Sequence, residues 1–302
     1  MLLLLLYACS FAMDSPKLVE GPVFEGRCDA SAFVPVGTNR ILVADDEKKS
    51  LGLFDRTGGE ATKVSVKRHV GVDDELDLEG AATVGDLAYF IGSHGRTASG
   101  KPAPARAHLF ALHPGSEPTF VGRSANTLMP ALWGLPEIGE RLRDAAKRPP
   151  KSREGGLNIE GLASSPDGAL LIGLRNPLIE GRAVVVTLSN PRSVLEGEAP
   201  EVAAETLDLG GRGIRGFQRM GSEYLIVAGP IDSETSFALF RWNGETVSPL
   251  EVDLGDLNPE AVGLLDGQIL LLSDDGRESV GGVPCKDADV ELRSFRSAWL
   301  RL

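Results

Sequence analysis

The sequence has no basic excess. Its 31 Lys and Arg are outnumbered by 43 Asp and Glu over 302 residues, a formal net charge of −12. Nucleic-acid binding needs a cationic footprint that displaces counterions, so no nucleic-acid partner is expected. Long apolar runs are also missing. The one candidate lies in MLLLLLYACSFAMDS at the start, too short to span a bilayer. No GxSxG elbow, HExxH, P-loop or CxxC pattern occurs, so the enzymes those motifs define gain no support. Cysteine is scarce, with three in the chain.

The opening run does resemble the apolar part of an export signal, without the usual basic residues before it. Leu6-Tyr7-Ala8-Cys9 loosely matches a lipobox, in which Cys9 would carry a lipid anchor, although Tyr7 is unusual there. Residues 1–16 therefore read as leader and linker. The protein is expected to be periplasmic, secreted or lipid-anchored, and monomeric.

What the chain does have is 36 Gly and 19 Pro, and a repeat. Its clearest copy is Gly156 to Pro177, GLNIEGLASSPDGALLIGLRNP, two short apolar runs around a Pro-Asp-Gly turn. Four more copies start at Asp29, Glu79, Arg215 and Glu260 and return as ILVADDE, LAYFIGSHGR, EYLIVAGP and QILLLSDDG. A third apolar run follows each hairpin, and a fourth, more polar run follows most. Four strands per repeat, polar outermost, make a propeller blade.

The last repeat stops at the end of its third strand, and the spare N-terminal run 17–24, KLVEGPVF, has the character to supply the fourth. The expected fold is all-β, a single five-bladed β-propeller over 17–302 closed by that N-terminal strand. Six blades is the alternative, with the extra one hidden in the gap 124–155. That gap reads instead as a helical insertion. Pro136 to Lys147 has Ile138, Leu142 and Ala145 on one face and is stopped by Pro149-Pro150. Its apolar and basic flanks, Leu132-Trp133 and Lys147, Arg148, Lys151 and Arg153, suit packing on one propeller face.

In such a wheel the starts of the first strands and the ends of the second strands share one mouth. The starts carry Asp29, Glu79, Glu160, Arg215 and Glu260. The ends carry Asp45, Asp46 and Glu47, then Ser93, His94 and Arg96, then Arg175 and Asn176, then Asp274 and Asp275. Polar groups that interrupt apolar strands pair, bind or catalyse. Asp29, Glu79, Glu160 and Glu260 could hold Ca²⁺ or another divalent cation, since crowded carboxylates need a cation or proton among them. They could equally accept backbone N–H bonds or pair with arginine. Arg96, Arg175, Asn176 and Arg215 would bind a small anion, or pair with the acids. His94 is the candidate acid–base group, with Glu160 beside it, or else a histidine hydrogen-bonded in a loop. Cys28 and Cys285 map to the same face on blades that adjoin when the ring closes, so a disulfide there would staple the closure; two free thiols are the alternative.

The residues also resemble a bacterial β-propeller family known as domain of unknown function 3616. The resemblance rests on DASA at 29–32, DLEG at 77–80, IGSHGR ending at Arg96, NIEGLA at 158–163, LIGLRNP ending at Pro177, IRGF at 214–217 and NPEA at 258–261. It implies the propeller fold and no established activity. More distantly, the repeated Glu-Gly starts are similar to esterase-like phytases and calcium-binding lactonase-type propellers. Two functional readings follow. In one, an exported propeller binds or hydrolyses a small anionic compound, such as a phosphate ester, at its mouth; hydrolysis would make it a phosphoesterase-like or lactonase-like enzyme. In the other, a non-catalytic envelope scaffold binds a protein or glycan there.

Overall fold

A computed structural model describes residues 15–45, 49–72, 74–150, 155–231 and 235–302. The leader with Cys9, the pair Asp46 and Glu47, and the basic Lys151 and Arg153 lie outside the described residues.

Among the described residues, five four-stranded antiparallel blades form the wheel, the first of them extended by two short edge strands, which sets aside the six-bladed alternative. Blade 1 holds strands 32–36, 40–44, 50–55 and 58–65; blade 2 holds 78–84, 87–92, 109–113 and 119–125. Blade 3 holds 158–164, 170–176, 183–188 and 202–207; blade 4 holds 213–220, 223–229, 238–242 and 247–250. Blade 5 takes 259–265, 268–273 and 297–301, and its outer strand is Lys17–Glu20, paired from Lys17 with Arg301 to Glu20 with Ala298.

Why the second strands are apolar throughout follows from where each residue packs. Leu170 and Ile172 join the core between blades 2 and 3, while Leu171 joins the core between blades 3 and 4. Ile226 packs toward blade 3, and its neighbours Leu225 and Val227 pack toward blade 5. Successive side chains point to opposite faces, and here both faces are covered by a neighbouring blade. Outer strands such as Val202–Leu207 are mostly exposed and read polar.

The N-terminal run does more than close blade 5. Gly21-Pro22 divides it, and Phe24–Glu25 lies along the outer edge of blade 1, parallel to 58–65 and antiparallel to 294–295. Phe24 stacks on Phe295 at 5.0 Å and meets Phe54 edge-on at 5.3 Å. The segment read as one strand over 17–24 thus spans two blades, because proline cannot donate a ladder bond in mid-strand. Cys28 and Cys285 form a disulfide with their Cα atoms 5.9 Å apart, across the same junction.

Two corrections concern the insertion. Its helix runs Gly139–Ala145 rather than from Pro136, since Glu137 adopts a left-handed φ of 63° that ends helical geometry before it. A second helix, Leu128–Trp133, occupies what the sequence presented as an apolar flank. Leu128, Leu132, Leu135, Ile138, Leu142 and Ala145 are buried in the core between blades 2 and 3, so the insertion is built into the wheel rather than resting on it.

Candidate functional site

Four of the five first strands share a defect near their start. The register with the second strand slips at Glu79 in blade 2, Glu160 in blade 3, Arg215 in blade 4 and Glu260 in blade 5. A β-bulge leaves its extra residue out of the ladder and re-aims its side chain. The residue after the bulge must then let the next blade approach. A Cβ on Gly80 would sit 2.8 Å from Leu162 Cβ, and one on Gly161 would sit 2.6 Å from Ile214 Cγ2. On Gly216 it would sit 2.8 Å from Glu260 O. The repeated Glu-Gly pair therefore has a packing cause. The charged member points to the hub, and the glycine admits the neighbouring blade.

All five start residues, Asp29, Glu79, Glu160, Arg215 and Glu260, line one hub cavity of about 730 Å³, with Arg96, Arg175 and Asp274. Glu160 is its centre. One carboxylate oxygen accepts from Arg175 Nη1 at 3.0 Å and from Asn158 Nδ2; the other lies 2.8 Å from Arg215 Nε. Arg215 continues to Glu260 through Nη2 and lies over the Phe237 ring, 5.7 Å from its centroid. One ionic chain thus crosses blades 3, 4 and 5. Burial pulls the Arg215 guanidinium below its ordinary range, against the raising pull of Glu160.

A second cluster sits on the blade 2 side. Arg106 donates to Asp77 Oδ2 at 2.9 Å and to Glu75 Oε1 at 2.5 Å. Burial pushes the Asp77 carboxyl up to about 6, against the lowering pulls of Arg106 and Ser93; Glu75 and Glu160 add to the rise. A raised folded-state pKa means the folded protein holds a proton that the unfolded chain has lost. The contribution of Asp77 to stability is therefore fully present below its ordinary 3.8 and is lost as pH rises through about 6. Asp77→Asn is expected to match the wild type at pH 4 and to be more stable by about 2 kcal/mol at pH 8. Denaturant melts at the two pH values check this; a variant less stable at pH 8 contradicts it.

Other proposed mouth residues fall elsewhere. His94 is buried and does not line the cavity; its Nδ1 donates to Gly92 O at 2.8 Å. Burial lowers its pKa to about 4, despite the raising effect of the Gly92 carbonyl, so the ring is neutral at ordinary pH. Asn176 is buried, donates to Pro150 O at 3.2 Å and does not line the cavity either. Asp45 faces Arg27 at 3.6 Å. Asp275 is forked by Arg296 at 2.9 and 3.0 Å, which fixes the blade 5 loop rather than a ligand. Pro150 of the insertion does reach the cavity wall.

Sequence reasoning passed over Asp77, Arg106, Asn158, Asn258, Arg277 and Lys286, all in the lining. Three of them carried a signal. Asp77, Asn158 and Asn258 each stand two positions before a bulged Glu, in DLEG, NIEG and NPEA. Arg106 and Arg277 belong to long loops with no counterpart in other repeats.

The donor set also tests the calcium expectation. Glu160 and Glu260 face guanidinium groups, and among the described residues no three His, Cys, Asp or Glu side chains group as a metal ion would need. The ring as arranged does not fit a divalent cation.

Residues 121–255, from the outer strand of blade 2 to the end of blade 4, match the family described as Protein of unknown function (DUF3616). That stretch is under half of the chain, and over it the chain is similar to this family. The matched stretch includes Glu160, Arg175 and Arg215; Arg96, Arg106 and Arg277 lie outside it. No curated protein matches the chain. Among solved structures, the PQQ-bound form of aldose sugar dehydrogenase from Streptomyces coelicolor is 12% identical, with a TM-score of 0.48 over 95% of this chain and 98% of that one. Virginiamycin B lyase from Staphylococcus aureus is 7% identical, with a TM-score of 0.44 over 95% of this chain and 100% of that one. Likenesses at this level do not bear on what this chain does.

Proposed function

We propose that the hub cavity binds a small anionic compound, with Arg96 as its anchor. The observation that carries this is the state of Arg96. It lines the cavity, and its Nε and Nη1 donate to Ala146 O at 2.8 Å and Gly100 O at 2.9 Å. Among the described residues it has no carboxylate partner, whereas Arg106, Arg175 and Arg215 each have one. Two backbone carbonyls orient the guanidinium without neutralising it, which is the preorganisation that bidentate anion binding uses. Arg175 and Arg215 would serve by positioning Glu160 and Glu260 for the hydroxyl or ammonium groups of the same compound. A phosphate ester meets this description. If the compound is hydrolysed, the proton acceptor would be Asp77, which lines the cavity, and not His94.

Export is part of the proposal. A disulfide suits a compartment outside the cytoplasm, and among the described residues no helix is long and apolar enough to cross a membrane. The test is calorimetric titration at low salt with sulfate, inorganic phosphate and glycerol 2-phosphate. Wild type should bind at least one of them, and Arg96→Gln should weaken that binding at least tenfold. If none of them binds, or the variant binds equally well, the proposal falls, and the scaffold reading, with a protein or glycan on the rim, takes its place. A calcium titration in the same instrument should give no heat that depends on Glu160.

A further inference from the structure

We propose that the ligand carries two separated anionic groups, and that Arg277 binds the second of them. This rests on the anion-site reading above. Arg277 lines the cavity from the blade 5 loop between strands 268–273 and 297–301. Its side chain is exposed, and among the described residues it has no carboxylate partner. Lys286, the other cation of that loop in the lining, is already engaged.

The loop that carries Arg277 is fixed at several points. Asp275 N donates to Cys28 O at 2.9 Å, and Gly276 N donates to Asp274 Oδ1 at 2.9 Å. Arg296 forks Asp275, and Cys285 is bonded to Cys28. Gly276 sits against the Asp29 carboxylate, which a side chain at 276 would have to displace. The fastened backbone fixes where the Arg277 side chain starts from, and its unneutralised guanidinium can form a two-bond fork to a carboxylate or phosphate.

Arg96 stands on blade 2 and Arg277 on blade 5, with blade 1 between them. The other arginines of the lining are matched by Glu75, Asp77, Glu160 and Glu260. The cavity thus offers two unmatched cations on non-adjacent blades, with carboxylates between them. A dicarboxylate, or a phosphorylated acid bearing hydroxyl groups, matches that pattern; a compound with a single anionic group uses only half of it.

The test compares acetate with the succinate, adipate and suberate series by calorimetry on the full chain. At least one dicarboxylate should bind tenfold or more tighter than acetate. Arg277→Gln should erase that advantage, so that no dicarboxylate binds tighter than acetate does. Arg96→Gln should weaken acetate and dicarboxylate alike. Acetate binding with no dicarboxylate advantage, or an advantage that survives Arg277→Gln, overturns the two-point reading and leaves the anion site standing. No carboxylate bound at all also overturns the two-point reading, and the anion site then stands or falls on the sulfate and phosphate titrations alone.

Discussion

Glu160→Ala is expected to destabilise the protein by about 3–5 kcal/mol, the usual effect of removing one partner from a buried ionic network. The side chain is 3% exposed and neutralises two arginines at once, Arg175 within blade 3 and Arg215 of blade 4. Its loss leaves the buried Arg215 and the partly buried Arg175 with Glu260 as their remaining carboxylate. The size of the effect comes from those stranded charges, not from the net worth of the pairs, since burying the charges is itself unfavourable. Adding Arg215→Met to Glu160→Ala should therefore recover part of the loss. Denaturant melts of the single and double variants decide it. A single variant within 1 kcal/mol of wild type, or a double variant worse than the sum of the two singles, contradicts the network.

Removing the disulfide should have the next largest effect. Cys28 and Cys285 are 257 positions apart, so the bond constrains nearly the whole unfolded chain. Chain entropy alone allows about 5 kcal/mol for a loop of this length, and native disulfides commonly contribute 2–5 kcal/mol. The ring is also closed by the Lys17–Glu20 pairing and by the Phe24, Phe54 and Phe295 cluster. A Cys28→Ser/Cys285→Ser protein should therefore still fold, with its melting temperature lowered by roughly 5 °C. Calorimetric scans compare the two forms; an unchanged melting temperature would show that the junction is held by packing alone. Binding should suffer as well, because the same bond fastens the loop that carries Arg277.

The wheel was legible in the sequence because a blade has a strong pattern. Runs such as ALLIGL and YLIVAG are apolar on both faces, Gly168 supplies a turn with φ +89°, and the missing fourth strand of the last repeat has one candidate in the chain. The convergence of Asp29, Glu79, Glu160, Arg215 and Glu260 followed from topology alone. Register and pairing did not follow. The bulges at Glu79, Glu160, Arg215 and Glu260 are a misfit between two strands, and no single strand displays it. Whether Arg175 meets a ligand or Glu160 depends on side-chain reach across a bulge. His94 lies two residues beyond the last residue of its strand, Gly92, and there the loop folds inward instead of continuing to the mouth. Arg106 reaches the hub from the 3₁₀ turn Pro104–Arg106, a loop without a repeat equivalent, so alignment of the blades could not place it.

Anomalous diffraction from a crystal soaked in selenate, a sulfate mimic, addresses the core of this account most directly. The hub should show a selenium peak within hydrogen-bond distance of the Arg96 guanidinium, and the peak should vanish in Arg96→Gln. Selenium found only on the outer surface, or bound between Arg175 and Arg215 after displacing Glu160, would contradict it.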